Sequence, residues 1–377
     1  MHIESVELRE LRIPLVSPFT TSFSTQYERN TLVMKVTGTA DGPNGPVETT
    51  GWGECGALSD PYYSAEYTAG ARMILRDYLI PVLRQAQSTG PLSAETVGHA
   101  LAGIVGHRMA KSTVEMAVLD AELRARGQSF ARYLGATRTR VPSGVSVGIQ
   151  DSIPQLLGTV GNYLSQGYVR IKLKIKPGWD VEPVAAVRKE FGYDVPLQVD
   201  ANAAYTLVDA PLLRRLDEFA LLLIEQPLVE DDLVQHAALA AALSTPICLD
   251  ESVESAKDAA DAITLGAASV INIKPSRVGG YLEAKRIHDL ASAHGVAVWC
   301  GGMLETGIGR AANTALAALD GFTLPGDISA SDRFYAEDIT EPFVIEDGHI
   351  AVPQGPGFGV TPHLEVLERF TVGTDLM

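Results

Sequence analysis

Five ionisable residues recur at a regular spacing, each closing a short apolar run. Lys174 ends Arg170-Ile171-Lys172-Leu173-Lys174, and Asp200 follows Pro196-Leu197-Gln198-Val199. Glu225 follows Leu221-Leu222-Leu223-Ile224, Asp250 follows Pro246-Ile247-Cys248-Leu249, and Lys274 follows Val270-Ile271-Asn272-Ile273. Successive positions differ by 26, 25, 25 and 24 residues. Each step has room for a strand, a helix and two short loops, which is the repeat of an α/β protein built as a (β/α) barrel. The C-terminal strand ends of such a barrel converge on one mouth, where active sites form. Random surface charges would not keep this register.

The lysine stretch decides less by itself. Strict alternation puts Ile171, Leu173 and Ile175 on one face of a strand and Lys172 and Lys174 on the other. An edge strand with solvated lysines has the same pattern. Only the downstream spacing moves the reading toward a buried, converging site.

A chain of 377 residues is too long for one ordinary core, but it fits a barrel plus a smaller domain. The expected division is an α+β capping domain over residues 1–130, a barrel over 140–334, and a segment, 335–377, returning to the cap. In the cap, strands are expected at 3–13 and 31–37, with a third ending at Gly51–Gly56. A long uncharged loop, Ser17–Thr25, carries Phe19 and Phe23, and a second aromatic loop carries Tyr62, Tyr63 and Tyr67. Helices are expected at 65–87, 93–102 and 107–126, the last with one buried face (Met109, Val114, Ala117, Val118, Ala121) and Gly127 as its stop. The barrel would open with a strand at 143–149 and a helix capped by Asp151, with Pro154 near its start. Strands seven and eight would be 296–300 and 322–327.

Composition excludes several classes. A net charge of −16 leaves no basic footprint for nucleic acid or an anionic membrane. No apolar run approaches the roughly 20 residues of a membrane span, and acids stand where a signal peptide would be apolar. Cys55, Cys248 and Cys300 are too scattered for a disulfide framework or a metal pattern, which suits a cytoplasmic protein.

Asp200, Glu225 and Asp250 offer only oxygen, and three such anions together select Mg²⁺ or Mn²⁺ over zinc or copper. The competing reading is three separate acids, each paired with a barrel lysine. Lys174 and Lys274 would reach the mouth from either side of the acids, an arrangement suited to removing a proton next to a substrate carboxylate. The metal and the ammonium of Lys172 would favour a neutral lysine base. A lone lysine could form a Schiff base instead, but that chemistry needs no carboxylate triad. A non-catalytic binding protein on a barrel has no reason to keep all five groups. Arg277, three residues after Lys274, is a further cation expected to ease proton loss from Lys274, or else a simple surface ion pair. Gly301–Gly309 has the glycines of a phosphate cradle, yet Met303, Leu304 and Ile308 suit a wall for an apolar substrate part. His294 precedes strand seven at the end away from the mouth and reads as structural.

These residues carry a family resemblance. Lys172-Leu-Lys174, Asp200-Ala-Asn202, Glu225-Gln-Pro227, Asp250-Glu251-Ser252 and Lys274-Pro275 resemble the enolase superfamily, muconate-lactonising subgroup. Gly106–Lys111, Gly144–Gly148, Gly178–Asp180 and Pro325–Phe334 are similar to the members that are N-acylamino acid racemases and o-succinylbenzoate synthases. The resemblance implies a modified TIM barrel, Asp200, Glu225 and Asp250 as Mg²⁺ ligands, Lys174 and Lys274 as the acid/base pair, and Lys172 as an electrostatic helper. Phe19, Phe23, Tyr62, Ser146, Asn202, Gly302, Met303 and Leu304 are the candidate substrate contacts, with Glu251 and Arg277 in support. The implied reaction runs through an enediolate: racemisation of N-acyl (N-succinyl) amino acids, dehydration to o-succinylbenzoate, or both. Dipeptide epimerases and muconate-type cycloisomerases remain alternatives that share the site. The expected partner is a small carboxylate, with no nucleic acid or membrane, and the expected assembly is a homo-oligomer.

Overall fold

The computed structural model describes residues 1–90 and 92–377. The N-terminal part is a four-stranded antiparallel sheet, β1 (His2–Thr20), β2 (Thr25–Gly42) and β3 (Gly45–Glu54), with helices on one side. The stretch expected as a long loop at 17–25 is instead the tip of the β1–β2 hairpin. Phe19 pairs with Gln26 and Thr20 with Thr25, beyond an irregularity at Pro14–Phe19. Proline and serine there disguised strand residues whose pairing is supplied by the partner strand.

Helix Arg108–Ala125 is buried on nearly every side, with 14 of its 18 residues shielded, rather than on the single face expected. It lies between β2 and β3 on one side and the short helix Pro275–Val278 of the barrel on the other. Its close approach to β3 needs glycine. A Cβ at Gly51 would fall 2.0 Å from the Ala117 carbonyl oxygen, and one at Gly53 would fall 2.1 Å from that of Thr113.

The second part begins at β4 (Arg140–Pro142) and continues into seven parallel strands. These are β5 (Gly144–Val147), β6 (Arg170–Lys174), β7 (Leu197–Asp200), β8 (Ile224–Glu225), β9 (Ile247–Leu249), β10 (Val270–Ile273) and β11 (Ala297–Cys300), adjacent in chain order. Helices connect them, as parallel pairing requires. Strand β6 is wholly buried between β5 and β7, so the solvated-edge reading of its lysines falls. The expected eighth strand does not form. Residues 322–326 close the barrel through two single bridges, Val298 to Phe322 and Ser143 to Gly326. Pro325 has no N–H to donate, and a side chain at Gly326 would meet the Cys300 carbonyl at 2.7 Å. The first barrel helix, Ile153–Ser165, is capped by Ser152 and not by Asp151: Ser152 accepts from the Gln155 N–H.

After the barrel, β12 (Ile345–Glu346) and β13 (His349–Ala351) form a hairpin on β4. Finally β14 (Thr371–Leu376) pairs antiparallel with β1 and completes the N-terminal sheet in the order β14-β1-β2-β3. Buried carboxylates from the cap plug two barrel-helix N-termini. Glu54 accepts from the N–H groups of Thr306 and Gly309, both at 2.9 Å, and Glu115 accepts from those of Tyr281 and Leu282. Burial pushes their pKa values up to about 7 and about 8, the mark of a dry interface. All three cysteines are buried and free. Among the described residues, no helix is long and apolar enough to cross a membrane.

Gly51→Ala should destabilise the protein by about 1–3 kcal/mol, because the added methyl meets helix backbone rather than a movable side chain. Thermal unfolding should show a lower Tm, and an unchanged Tm would mean that β3 and the helix are less tightly apposed.

Candidate functional site

The barrel register brings the spaced charges together. Lys174 is the Cα partner of Asp200, and Asp200 that of Glu225, so three ionisable side chains lie in one layer across β6, β7 and β8. Asp250 and Lys274 follow the ends of β9 and β10. All six charged groups of the motif, Lys172 included, are buried.

Each carboxylate is held by a barrel cation. Lys172 Nζ donates to Glu225 Oε2 at 3.0 Å and lies 3.3 Å from Asp200 Oδ2. Lys174 Nζ donates to Asp200 Oδ2 at 2.6 Å and to Asn202 Oδ1 at 2.7 Å. Lys274 Nζ donates to Asp250 Oδ2 at 2.7 Å, and Arg277 also pairs with Asp250. Neutral amides complete the set: Asn272 Nδ2 donates to Glu225 Oε1 at 2.7 Å, and Gln226 Oε1 accepts the Asp250 N–H at 3.0 Å. Among the described residues the three acids do not form a ready-made cage of their own. The pairing weighed as the competing reading of the sequence is thus physically present.

The electrostatics of the cluster nevertheless suit a cation. Burial first, and then the neighbouring Asp200, hold Glu225 above the usual carboxylate range. Burial likewise pushes Glu251 up to about 7, with Asp200 and Glu225 adding to the rise. Glu251 accepts from Asn202 Nδ2 at 2.9 Å, while its Oε2 is buried without a partner. Burial would raise Asp200 too, but Lys174 and Lys172 hold it well below normal. The donor set is all oxygen, crowded and partly unsatisfied, so it fits a hard divalent ion.

Lys274 departs from expectation. Burial works against its ammonium, yet Tyr63, Glu251, Glu225 and Asp200 together hold its pKa above the ordinary lysine value. Neighbouring cations do not prevail, because the local field is net anionic. Arg277 does not act as a bare cation beside Lys274 either. It is engaged with Asp250, with the Asn272 carbonyl at 2.8 Å and with the Val253 carbonyl at 3.2 Å.

Lys172, Lys174 and Lys274 line one cleft, walled by Phe19, Ser146, Gly302 and Leu304 among the candidate contacts. The other four stand elsewhere. Asn202 serves Lys174 and Glu251, Met303 is buried behind the wall, and Phe23 packs on Tyr63 at 6.2 Å between ring centroids. Tyr62 is 68 % exposed and away from the cleft; its neighbour Tyr63 turns inward and its hydroxyl accepts from Lys274 Nζ at 3.1 Å. Adjacent loop residues diverge this way because only one of the two can face the barrel. Among the described residues, four of the seven non-glycine residues with positive φ, Asn202, Ala203, Gln226 and Leu304, lie at this mouth. Strain concentrated there is what a preorganised site accumulates.

Among the cleft residues that the sequence reading did not single out are Asp327 and Arg333. Asp327 accepts from Lys172 at 2.6 Å and pairs with Arg170 at 2.8 Å. It lies 53 residues after Lys274, two further steps of the same period, so the spacing signal reached it. Arg333 is buried among Phe19, Tyr163 and Phe334, with its guanidinium 4.7–5.6 Å from their ring centres. Its one protein acceptor is the Ser146 carbonyl at 3.0 Å, and among the described residues no carboxylate pairs with it. Nothing in the spacing marks it, since it follows the barrel's irregular closing segment.

Comparison with known proteins bears on the family and the fold. Residues 3–135 match the family "Mandelate racemase / muconate lactonizing enzyme, N-terminal domain", and residues 156–366 match "Enolase C-terminal domain-like". The chain is 62% identical over 371 residues to an N-succinylamino acid racemase of an Amycolatopsis species, covering 98% of both. It is 46% identical to an o-succinylbenzoate synthase of Geobacillus kaustophilus, over 98% of this chain and 96% of that one. A solved enolase-superfamily structure from Listeria innocua superposes with a TM-score of 0.93 at 40% identity, covering 100% of this chain and 99% of the other. The chain therefore belongs to the mandelate racemase / muconate lactonizing enzyme family of the enolase superfamily.

Proposed function

We propose that the chain is an enzyme that removes the proton α to a substrate carboxylate, passing through an enediolate. Its substrates would be N-succinylamino acids, which it racemises, the cyclohexadiene precursor of o-succinylbenzoate, which it dehydrates, or both. The observation that carries this reading is the pair Lys174 and Lys274. They line one cleft from β6 and from the end of β10, two strands on either side of Glu225 on β8.

In racemisation one lysine takes the α-proton from one face and the other returns a proton to the opposite face. In dehydration a single lysine suffices: it takes the α-proton as base and gives it back to the departing hydroxyl, which leaves as water. Lys172, paired with Asp327, Glu225 and Asp200 and held above the ordinary lysine pKa against the effect of burial, stays a fixed ammonium beside the developing charge. Asp200, Glu225 and Asp250 would hold the Mg²⁺ typical of the family, with Glu251 beside them. Bound there, the ion would hold the substrate carboxylate, stabilise its growing negative charge and offset the anionic field that keeps Lys274 protonated. The hairpin tip with Phe19 and the aromatic wall exclude water.

Relatives that share most of the chain are named for both reactions, and both substrates carry a succinyl group with its own carboxylate. A buried guanidinium without an acidic partner suits that second carboxylate, and Arg333 supplies one at the cleft wall.

Chelation with EDTA should abolish activity, and Mg²⁺ or Mn²⁺ should restore it; Asp250→Asn should weaken the metal requirement's affinity by at least about tenfold. Full turnover in a verified metal-free sample would sink the ligand assignment. Lys274→Ala should end α-proton exchange with D₂O for one enantiomer of an N-succinylamino acid, and Lys174→Ala for the other. Equal retention in both variants would remove the lysine pair. Arg333→Met should raise KM for N-succinylamino acids by about 10- to 100-fold. KM for the N-acetyl analogues should stay unchanged, and an equal rise for both would reduce Arg333 to part of the wall.

A further inference from the structure

The two lysines are not held alike. Both partners of Lys174 belong to the barrel: Asp200 Oδ2 at 2.6 Å and Asn202 Oδ1 at 2.7 Å. Lys274 divides its ammonium between Asp250 Oδ2 of the barrel at 2.7 Å and Tyr63 Oη at 3.1 Å, which comes from the N-terminal cap. The same phenol oxygen accepts from Arg277 Nη1 at 3.4 Å. A phenol has two lone pairs and one proton, so two cationic donors use both acceptor positions. Among the described residues, Tyr63 thus offers the one oxygen outside Asp250 that joins Lys274 and Arg277. Its ring lies 4.8 Å from the Lys274 amine and packs on Phe23 of the hairpin tip. Among the described residues, no cap group accepts from the Lys174 amine.

We infer that Tyr63 is a positioning residue for Lys274 alone, so that one face of proton transfer depends on the docked cap while the other is set within the barrel. The inference rests on the two-lysine reading above. An ammonium on a four-carbon stem has many rotamers, and an acid below it limits only some of them. A second acceptor at the side, fixed by ring packing, narrows the direction in which the amine can meet an α-carbon. Proton transfer is sensitive to such direction, and a misplacement of about 1 Å can cost about a hundredfold. Arg277, drawn to the same oxygen, fixes the phenol in turn.

The test is Tyr63→Phe, which keeps the ring and its packing on Phe23 and removes only the oxygen. kcat and KM for α-proton exchange in D₂O are measured for each enantiomer of one N-succinylamino acid, in wild type, Lys174→Ala, Lys274→Ala and Tyr63→Phe. The expected result is a fall in kcat of about 10- to 100-fold for the enantiomer whose exchange Lys274→Ala abolishes. The other enantiomer should change by less than about twofold, and KM should hold for both. Phe23→Leu serves as the comparison: it trims the hairpin tip that packs on Tyr63 but keeps the hydroxyl and its two donors, and should affect the two enantiomers alike. A Tyr63→Phe effect that is equal for both enantiomers, or absent from both, overturns the inference and leaves the lysine pair standing. Lysine variants that fail to show opposite enantiomer losses overturn both.

Discussion

A buried layer of alternating charge, amine against carboxylate across adjacent parallel strands, is what the rest of the structure is arranged to protect. Lys174, Asp200 and Glu225 share one register level, and Lys172 reaches the same acids from two residues earlier on β6. Each such charge, taken out of water alone, costs several kcal/mol, and the cost is offset only by close opposite charges and complete hydrogen bonding. That explains the supporting cast. Asn202, Gln226 and Asn272 fill positions where another acid or base would unbalance the cluster. The left-handed backbone at Asn202, Ala203 and Gln226 is tolerated because it aims those groups.

Protecting such a layer requires a lid, and the lid must be dry where it meets the barrel. The cap achieves this with buried acids. Glu54 and Glu115 accept N–H groups at the starts of two barrel helices, where unsatisfied donors and the helix dipole both favour an anion. Their raised pKa values express the water excluded from that seam. Glycines 51 and 53 let the cap sheet close on its helix, and that helix in turn carries Glu115 to the barrel. The catalytic groups proposed here sit on short strands and the turns just after them, while the groups that meet them from outside, Phe19 at the cleft and Tyr63 on Lys274, sit on the cap.

Much of this was legible in the chain. A period near 25 residues with an ionisable group at each strand end determined the parallel architecture, the order of the strands and the set of residues that meet at the mouth. Periodicity has that power because parallel strands joined by short loops and one helix leave little freedom in register. The same period continues to Asp327, although no strand forms there. The glycine-dependent approach of β3 was not legible in the chain, since a glycine's reason lies in the atom facing it.

What tertiary structure alone decided concerns groups brought together from distant parts of the chain. Sequence could not choose between Tyr62 and Tyr63, because burial of one neighbour over the other depends on where the barrel lies beneath the loop. It could not find Arg333, whose aromatic surroundings come from residues 19, 163 and 334. Nor could it set the protonation balance of Lys274, since an expected cationic neighbour, Arg277, is bound to Asp250 and the carboxylates around the amine prevail. By itself the sequence determined which charges share a barrel mouth, because strand spacing is a local property of the chain. Which of them neutralise one another, and what covers them, was decided only by packing, because electrostatic pairing depends on distances of a few ångströms between residues as far apart in the chain as Lys172 and Asp327.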